Sequence, residues 1–473
     1  MFLNLWNIRF VCSFIIKPAK MKHCYTFIPI VFLLFSLQVK SECLADSAKT
    51  ESRKDKIKTG WNFGGLPILA YDSDMGLQYG ALANIYYYGD GSTYPQYFHS
   101  FYFEVSRYTK GTGINQFFFD SKKIIPKIRV TADVTYLTEK ALNFYGFNGY
   151  QSVYNHSWEN DKSDSLTYKT RMFYRYQRDL LRIGASFQGK FINKKFLWLA
   201  GFTYLNIRTK PVNVDNLNKG VPDNKKLPHV PGLYDNYVKW GILGKDSTGG
   251  INNFVKLGLI FDTRDNEPNP MHGLWDEAVM AVAPGIIGDG HYSFIKLSLI
   301  HRQYFTLRKD LLSFVYRLGY QGTIAGKCPF YLQNIMLNSF SQTTTIDGLG
   351  GSQTLRGILR NRVVGDGVVF GNAEFRWKFV RFYWIKQNFY LALNAFADAG
   401  MVVQPIAIDK SGIPASVDQS LYFSSDKESP HLALGGGFRI VMNQNFIICA
   451  DYGQAMDVRD GSNGIYVGLG YLF

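Results

Sequence analysis

From about residue 76 onward the chain repeats one pattern, segments of roughly ten residues in which apolar and polar side chains alternate. In 127–136, Ile128, Val130, Ala132, Val134 and Tyr136 share one face, and Lys127, Arg129, Thr131, Asp133 and Thr135 share the other. In 253–263, Val255, Leu257, Leu259 and Phe261 oppose Lys256, Gly258 and Asp262. In 369–379, Val369, Ala373, Phe375, Trp377 and Phe379 oppose Asn372, Glu374, Arg376 and Lys378. The stretch 165–176 reads the same way, with Leu166, Tyr168, Met172, Tyr174 and Tyr176 opposite Thr167, Lys169, Arg171 and Arg175. Period two places successive side chains on opposite faces of a strand, so each segment has one apolar and one strongly polar face. A soluble sandwich would bury the apolar face against a second sheet; a transmembrane barrel would turn it to lipid and enclose the polar one.

Segment length favours the barrel, since a tilted strand crosses a bilayer in about 9–11 residues and sandwich strands average nearer five or six. Aromatics gather at segment ends, as in Tyr86-Tyr87-Tyr88, Tyr97-Phe98 and Phe382-Tyr383-Trp384, where an interfacial girdle would lie. Tyr 31, Phe 37 and Trp 8 make aromatics 16% of the 473 residues, which suits strands, and a mean hydropathy of −0.11 excludes a polytopic helical membrane protein. Short turns at 110–113 and 193–195 alternate with long polar stretches at 138–164, 209–251, 323–366 and 404–430, the arrangement of short periplasmic turns and long outer loops. Roughly seventeen segments qualify as strands; an even number is required, so about sixteen are expected, with 66–72 reading as a plug or lead-in. The fold class is therefore all-β, a transmembrane antiparallel β-barrel of about 16 strands over 66–473.

The N-terminal part fits export. Tyr25–Leu37 is apolar but too short to span, Lys17, Lys20 and Lys22 precede it, and Ser41 and Ala45 follow. Residues 1–45 read as a secretory signal peptide, with Met21 a candidate start and cleavage after Ser41 or Ala45, and 46–65 as a short polar periplasmic tail. Cys43 stands in a poor context for lipidation; Cys328 and Cys449 are isolated and build no disulfide framework or zinc site.

The last ten residues carry a sharper signal. Counting back from Phe473, the alternate positions Tyr471, Leu469, Val467 and Ile465 are all apolar or aromatic. A terminal aromatic with apolar residues at every second place resembles the C-terminal signal by which outer-membrane barrels are recognised for assembly.

Two further stretches are specific. One is Phe261-Asp262-Thr263-Arg264-Asp265-Asn266-Glu267-Pro268-Asn269-Pro270-Met271-His272-Gly273; the other is Gly350-Gly351-Ser352-Gln353-Thr354-Leu355-Arg356-Gly357-Ile358. The first resembles the strand–turn–strand motif of the BamA/TamA (bacterial surface antigen) superfamily, and the second its inward-folded loop with an Arg-Gly pair. Ile358 departs from the aromatic usual after that Gly. Asn143–Gly149 and Ala395–Gly400 also look like family segments, so the resemblance covers roughly 60–473. A guanidinium carried into a lumen needs carboxylates. Strand periodicity turns Glu374 inward, and Asp398 too, opposite Phe389, Leu391, Leu393, Ala395 and Ala397. The resemblance implies that acidic residues on the two strands after the loop hold its Arg, and Glu374 and Asp398 match those positions. The expectation is a loop lock of Arg356, Gly357, Glu374 and Asp398. Asp262 is expected to face inward, Arg264 and Asp265 to cap a tight periplasmic turn, and Gly273 to close that motif. Too few residues precede the first strand for a POTRA domain, which points to the subgroup of the superfamily without that extension.

Enzyme chemistry finds little support. There is no Gly-x-Ser-x-Gly elbow, CxxC, HExxH or P-loop, and His291 and Ser293 share a face without a supporting carboxylate. No enzyme, metal or cofactor is expected. The net charge of +15 is spread over lumen faces, loops and the leader, with no basic helix or stacking platform for nucleic acid. The resemblance implies an integral outer-membrane barrel that assists insertion or translocation of proteins or lipids. Its partners would be outer-membrane lipids including lipopolysaccharide, and barrel-assembly machinery or client proteins. A solute-selective channel and a structural or adhesive surface protein are the competing readings.

Overall fold

The computed structural model describes residues 57–473, except 94–95, 163–165, 192–194, 268, 289, 340–346, 385–386 and 443–445. The leader, most of the tail, and Asn193 and Lys194 of one expected turn lie outside the described residues. Sixteen antiparallel strands close into one barrel. In chain order they are β1 Trp61–Asp72, β2 Gly76–Tyr87, β3 His99–Tyr108, β4 Thr112–Ile125, β5 Ile128–Asn143, β6 Arg175–Lys190, β7 Phe196–Lys210 and β8 Gly249–Asp262. They continue as β9 Gly273–Ala283, β10 Phe294–Arg308, β11 Leu312–Gly326, β12 Gly367–Trp384, β13 Gln387–Gln404, β14 His431–Met442, β15 Phe446–Ala455 and β16 Asn463–Leu469. Each strand pairs with its neighbour in sequence, and β1 meets β16.

Burial along the wall decides between the two architectures. On β12, Glu374 and Arg376 are 0% and 1% exposed, while Phe375 and Trp377 between them are 52% and 47% exposed. On β5, Thr131, Asp133 and Thr135 are buried and Val134 and Tyr136 are exposed. A water-soluble sheet would do the reverse. Enclosed polar faces and bare apolar ones make sense only if hydrocarbon bathes the outside.

The connections sort the rims. One rim carries 144–174, 211–248, 327–366 and 405–430; the other carries short links such as 126–127 and 309–311, together with both ends of the barrel. The 327–366 connection folds into the lumen. Leu332, Ile335 and Leu337 pack on Leu180, Leu205 and Phe254 of the wall, and Leu349, Leu355 and Ile358 pack on Val368, Phe370 and Val402. Above it, aromatics of 144–174 and of the helix Leu233–Lys239, with Phe144, Tyr174 and Tyr237 at their centre, form a roof.

Five expectations need correction. Segment 66–72 is wall, not lead-in, and its strand begins at Trp61, so 61–65 belong to the barrel. Most of 165–176 is loop, with β6 opening only at Arg175; Phe173 and Tyr174 satisfy their apolar pattern in the aromatic roof rather than in a ladder. The long connection there is 144–174, not 138–164, because β5 runs on to Asn143. The turn near Lys110, at 109–111, lies by strand alternation on the long-loop rim, not the short one. Finally, β16 stops at Leu469. Ile465 and Leu469 face outward, but the chain turns at Gly470 (φ +91°) and Phe473 is buried against Tyr304 and Val315 inside the lumen.

Candidate functional site

The inward loop meets the wall through Arg356. Its Nε and Nη2 donate to the two oxygens of Asp398, each at 2.9 Å, and its backbone N–H donates to Asp398 Oδ2 at 3.0 Å. Its Nη1 lies 2.6 Å from Glu374 Oε1 and 3.5 Å from Asp451 Oδ2. The Glu374 contact is ionic rather than an aligned hydrogen bond. The guanidinium stacks 3.5 Å from the Phe396 ring centroid. Burial works against the charge, but Glu374 and Asp398 outweigh it and hold Arg356 above its ordinary range.

The network continues beyond the residues expected from sequence. Glu374 also accepts from Arg376 Nε at 2.8 Å, and Asp451 accepts from Arg439 at 2.7 and 2.8 Å. Three guanidiniums thus face three carboxylates, a balance that a buried cluster requires. Arg376 also donates to the Phe473 carbonyl oxygen at 3.0 Å and lies 4.2 Å from the Tyr471 ring centroid. One ion cluster therefore holds both the loop and the chain's inward-turned end.

Gly357 is placed by contact, not by sequence habit. Its φ is +96°, and a Cβ there would stand 2.5 Å from the carbonyl carbon of Gly453 on β15. Its N–H donates to Tyr466 Oη on β16 at 3.1 Å. Gly357→Ala should lower stability by about 1–3 kcal/mol, read as a shift in the urea midpoint of the folded, heat-modifiable species; an unchanged midpoint would mean the loop backs away from β15 at no cost.

Two more loop arginines were not singled out from sequence. Arg360 donates to Glu139 on β5 at 2.7 Å and to Asp347 at 2.6 Å, and Glu139 also takes Arg178 at 2.6 Å. Arg362 donates to the carbonyls of Gly149, Ser152 and Arg459. The Asn143–Gly149 segment lies against this loop, with Asn148 N–H donating to Val364 O at 2.7 Å.

The 262–273 motif forms the β8–β9 connection on the short rim. Arg264 holds Asp262 at 3.0 and 3.1 Å and stacks 4.3 Å from Trp275. Asp265 Oδ1 accepts from the N–H groups of Asn266, Met271 and His272, and Gly273 opens β9 at φ +101°. The connection reaches across the lumen, where Asn269 bonds Tyr390 of β13. It is separate from the Arg356 cluster. Ser293 accepts the Gly285 N–H within the β9–β10 connection.

The seam is the weakest join in the wall. β1 pairs with β2 over its whole length but with β16 only through Tyr71–Val467 and Asp72–Tyr466. Ser73 N–H adds a bond to Ile465 O at 3.1 Å, and Ile465 N–H one to Ser73 Oγ at 2.7 Å. The inward loop touches both sides of this join. Leu359 N–H donates to Asp460 O beside β16, and Arg360 N–H to Asp74 beside β1, at 2.9 and 3.3 Å.

A model of the Omp85 superfamily domain matches residues 102–473. No curated protein matches the chain. Among solved structures, BamA from Haemophilus ducreyi lacking POTRA domains 1–3 is similar at 12% identity, covering 88% of this chain and 71% of that one, with a TM-score of 0.48. CdiB from Escherichia coli is similar at 9% identity, with coverages of 88% and 63% and a TM-score of 0.49. CdiB from Acinetobacter baumannii follows at 11%, 88%, 60% and 0.45. The chain spans less than two thirds of either CdiB chain.

Proposed function

The chain belongs to the Omp85 superfamily and is an integral outer-membrane barrel, and from that premise we propose that it assists the insertion or translocation of proteins or lipids at the outer membrane, using the β1–β16 seam. The observation that carries this reading is the seam's two-pair ladder. Every other neighbouring pair of strands is joined over a longer register, the shortest being β15 with β16 over seven pairs, Ile448 to Gln454. Among the described residues, 61–70 of β1 then present an edge without a partner strand, and backbone groups in hydrocarbon cost several kcal/mol each when unsatisfied. Such an edge is a template for an incoming strand. Pro67, which has no N–H to offer, is of the kind tolerated on an edge strand. The loop lock of Arg356, Gly357, Glu374 and Asp398 would hold the inward loop to β12 and β13 while the two-pair join of β1 and β16 parts.

Depletion of the protein should lower the amounts of other barrels, or alter the lipid composition, in the outer membrane, as read by quantitative proteomics and lipid analysis of that membrane. An unchanged profile removes the assembly reading. The channel reading predicts steady conductance in planar bilayers; a lumen packed with Leu332, Ile335 and Leu355 argues for a silent barrel.

A further inference from the structure

The outer wall of the barrel holds a polar cluster that lumen function does not explain. On β9, Trp275, Glu277 and Val279 are buried in the lumen, so Asp276 points the other way. On β10 and β11, outward positions include Leu299 and Leu318, both exposed, and in the same parity His301, Gln303 and Tyr316. The register sets Asp276 directly opposite His301, and Gln303 opposite Tyr316. His301 Nδ1 lies 2.5 Å from Asp276 Oδ1, His301 Nε2 lies 3.1 Å from Tyr316 Oη, and Tyr316 Oη donates to Gln303 Oε1 at 3.1 Å. The Asp276 and His301 side chains are 44% and 35% exposed, so the cluster opens onto the membrane.

Charged groups on a lipid-facing wall are costly, and mutual pairing offsets only part of that cost. Here the pairing is incomplete: Asp276 Oδ2 and the Gln303 amide nitrogen have no hydrogen-bond partner among the described residues. Asp276 stands three residues, about 10 Å, above Gly273 where β9 opens, and His301 opposite it stands seven residues from Arg308 where β10 ends. Phe305, Phe314 and Tyr316 stack beside it, with neighbouring ring centroids 6.2–6.3 Å apart, as an interfacial aromatic belt would. Phe305 and Phe314 lie on the short-rim side of the cluster and Ala278 on the other.

Beside the cluster runs an apolar trough. Ala278 stands between Leu259 of β8 and Leu299 of β10 in the register, so a methyl group separates two isobutyl groups. With Phe196, Phe261 and Leu318 these residues and the Asp276–His301 pair line a groove of about 790 Å³, within the size range of small-ligand sites, ~300–1,000 Å³.

We propose that this groove binds a phospholipid with an ammonium headgroup, the ammonium on Asp276 Oδ2 and one acyl chain over Ala278. Charge decides the headgroup. The free carboxylate oxygen accepts an N–H donor and repels a purely anionic headgroup, and the surrounding hydrocarbon supplies the chain. The site does not depend on the assembly function and would stand if the seam proved inert.

The test is native mass spectrometry of the full-length barrel extracted into detergent with equimolar phosphatidylethanolamine and phosphatidylglycerol. Wild-type protein should retain the ethanolamine lipid over the glycerol lipid by about three- to fivefold, the value of one partly exposed ion pair. Asp276→Asn should bring that ratio to about one while heat-modifiable migration stays as in wild type. Ala278→Leu, which fills the trough and leaves the cluster intact, should lower total bound lipid and provides a second reading if Asp276→Asn does not fold. Equal retention of the two lipids by wild type, an unchanged ratio in Asp276→Asn, or a dimer that dissociates on Asp276→Asn would each overturn the proposal, the last in favour of a second copy of the chain on this face.

Discussion

Arg356→Ala should destabilise the barrel by about 3–5 kcal/mol, the cost of leaving a buried ion network one partner short. The loss would not fall evenly. Glu374 keeps Arg376 and Asp451 keeps Arg439, whereas Asp398, 1% exposed, has no other ion-pair partner among the described residues. Pairing the change with Asp398→Asn should therefore recover a large part of the loss, and pairing it with Asp451→Asn should not. Arg356→Lys should recover little, because one ammonium cannot supply the paired Asp398 contact, the Glu374 contact and the stack on Phe396 together. The urea midpoint of the heat-modifiable species measures all four variants. Wild-type behaviour of Arg356→Ala would mean the loop is held by its apolar packing and by Arg360 and Arg362, and that the cluster is incidental.

How far the sequence reveals this site follows from where its partners lie. Glu374 and Asp398 were legible because each sits on a strand whose alternation is unbroken, so inward parity could be counted from their neighbours Phe375 and Ala397. Arg360 and Arg362 were not, since their partners are a carboxylate on β5 more than two hundred residues away, Asp347 on a loop with no strand parity to count, and backbone carbonyls of other loops. Asp451 and Arg439 share inward parity on adjacent strands, and counting parity on β14 and β15 would have found them. The same counting failed at two places for opposite reasons. In 165–176 the aromatic rhythm is real but is satisfied by the roof of ring contacts, such as Phe173 with Trp158 at 4.8 Å, and not by a membrane. At the C-terminal end the rhythm continues past Gly470 while the backbone does not, and the pull is electrostatic: Arg376 and Arg439 attract Tyr471, and Arg317 lies 5.1 Å from the Phe473 ring. Local alternation describes a strand only as long as nothing nonlocal competes for its side chains.

A disulfide across the seam should abolish function reversibly without unfolding the barrel. Tyr71 and Val467 stand directly opposite in the register, so cysteines there would have Cα atoms within bridging range, ~4.4–6.8 Å. Cys449 lies on β15 opposite Gly468, next to the engineered pair, and is best replaced by serine in the background. If an incoming strand adds to the unpartnered edge of β1 and widens the wall, the remaining join at Tyr71 and Val467 must part. In oxidised cells carrying only Tyr71→Cys/Val467→Cys, the outer-membrane profile should match that of depleted cells, and a reductant should restore it. A control bridge at Leu69→Cys/Tyr79→Cys, within the intact β1–β2 ladder, should leave function at wild-type level in either redox state. The comparison separates seam opening from any general stiffening of the wall, because both bridges constrain β1 and only one crosses the join. A normal profile with the seam bridged and verified on gels would move the function away from β1 and β16 altogether, leaving the fastened loop and its arginines as a device for closing a barrel that does not open.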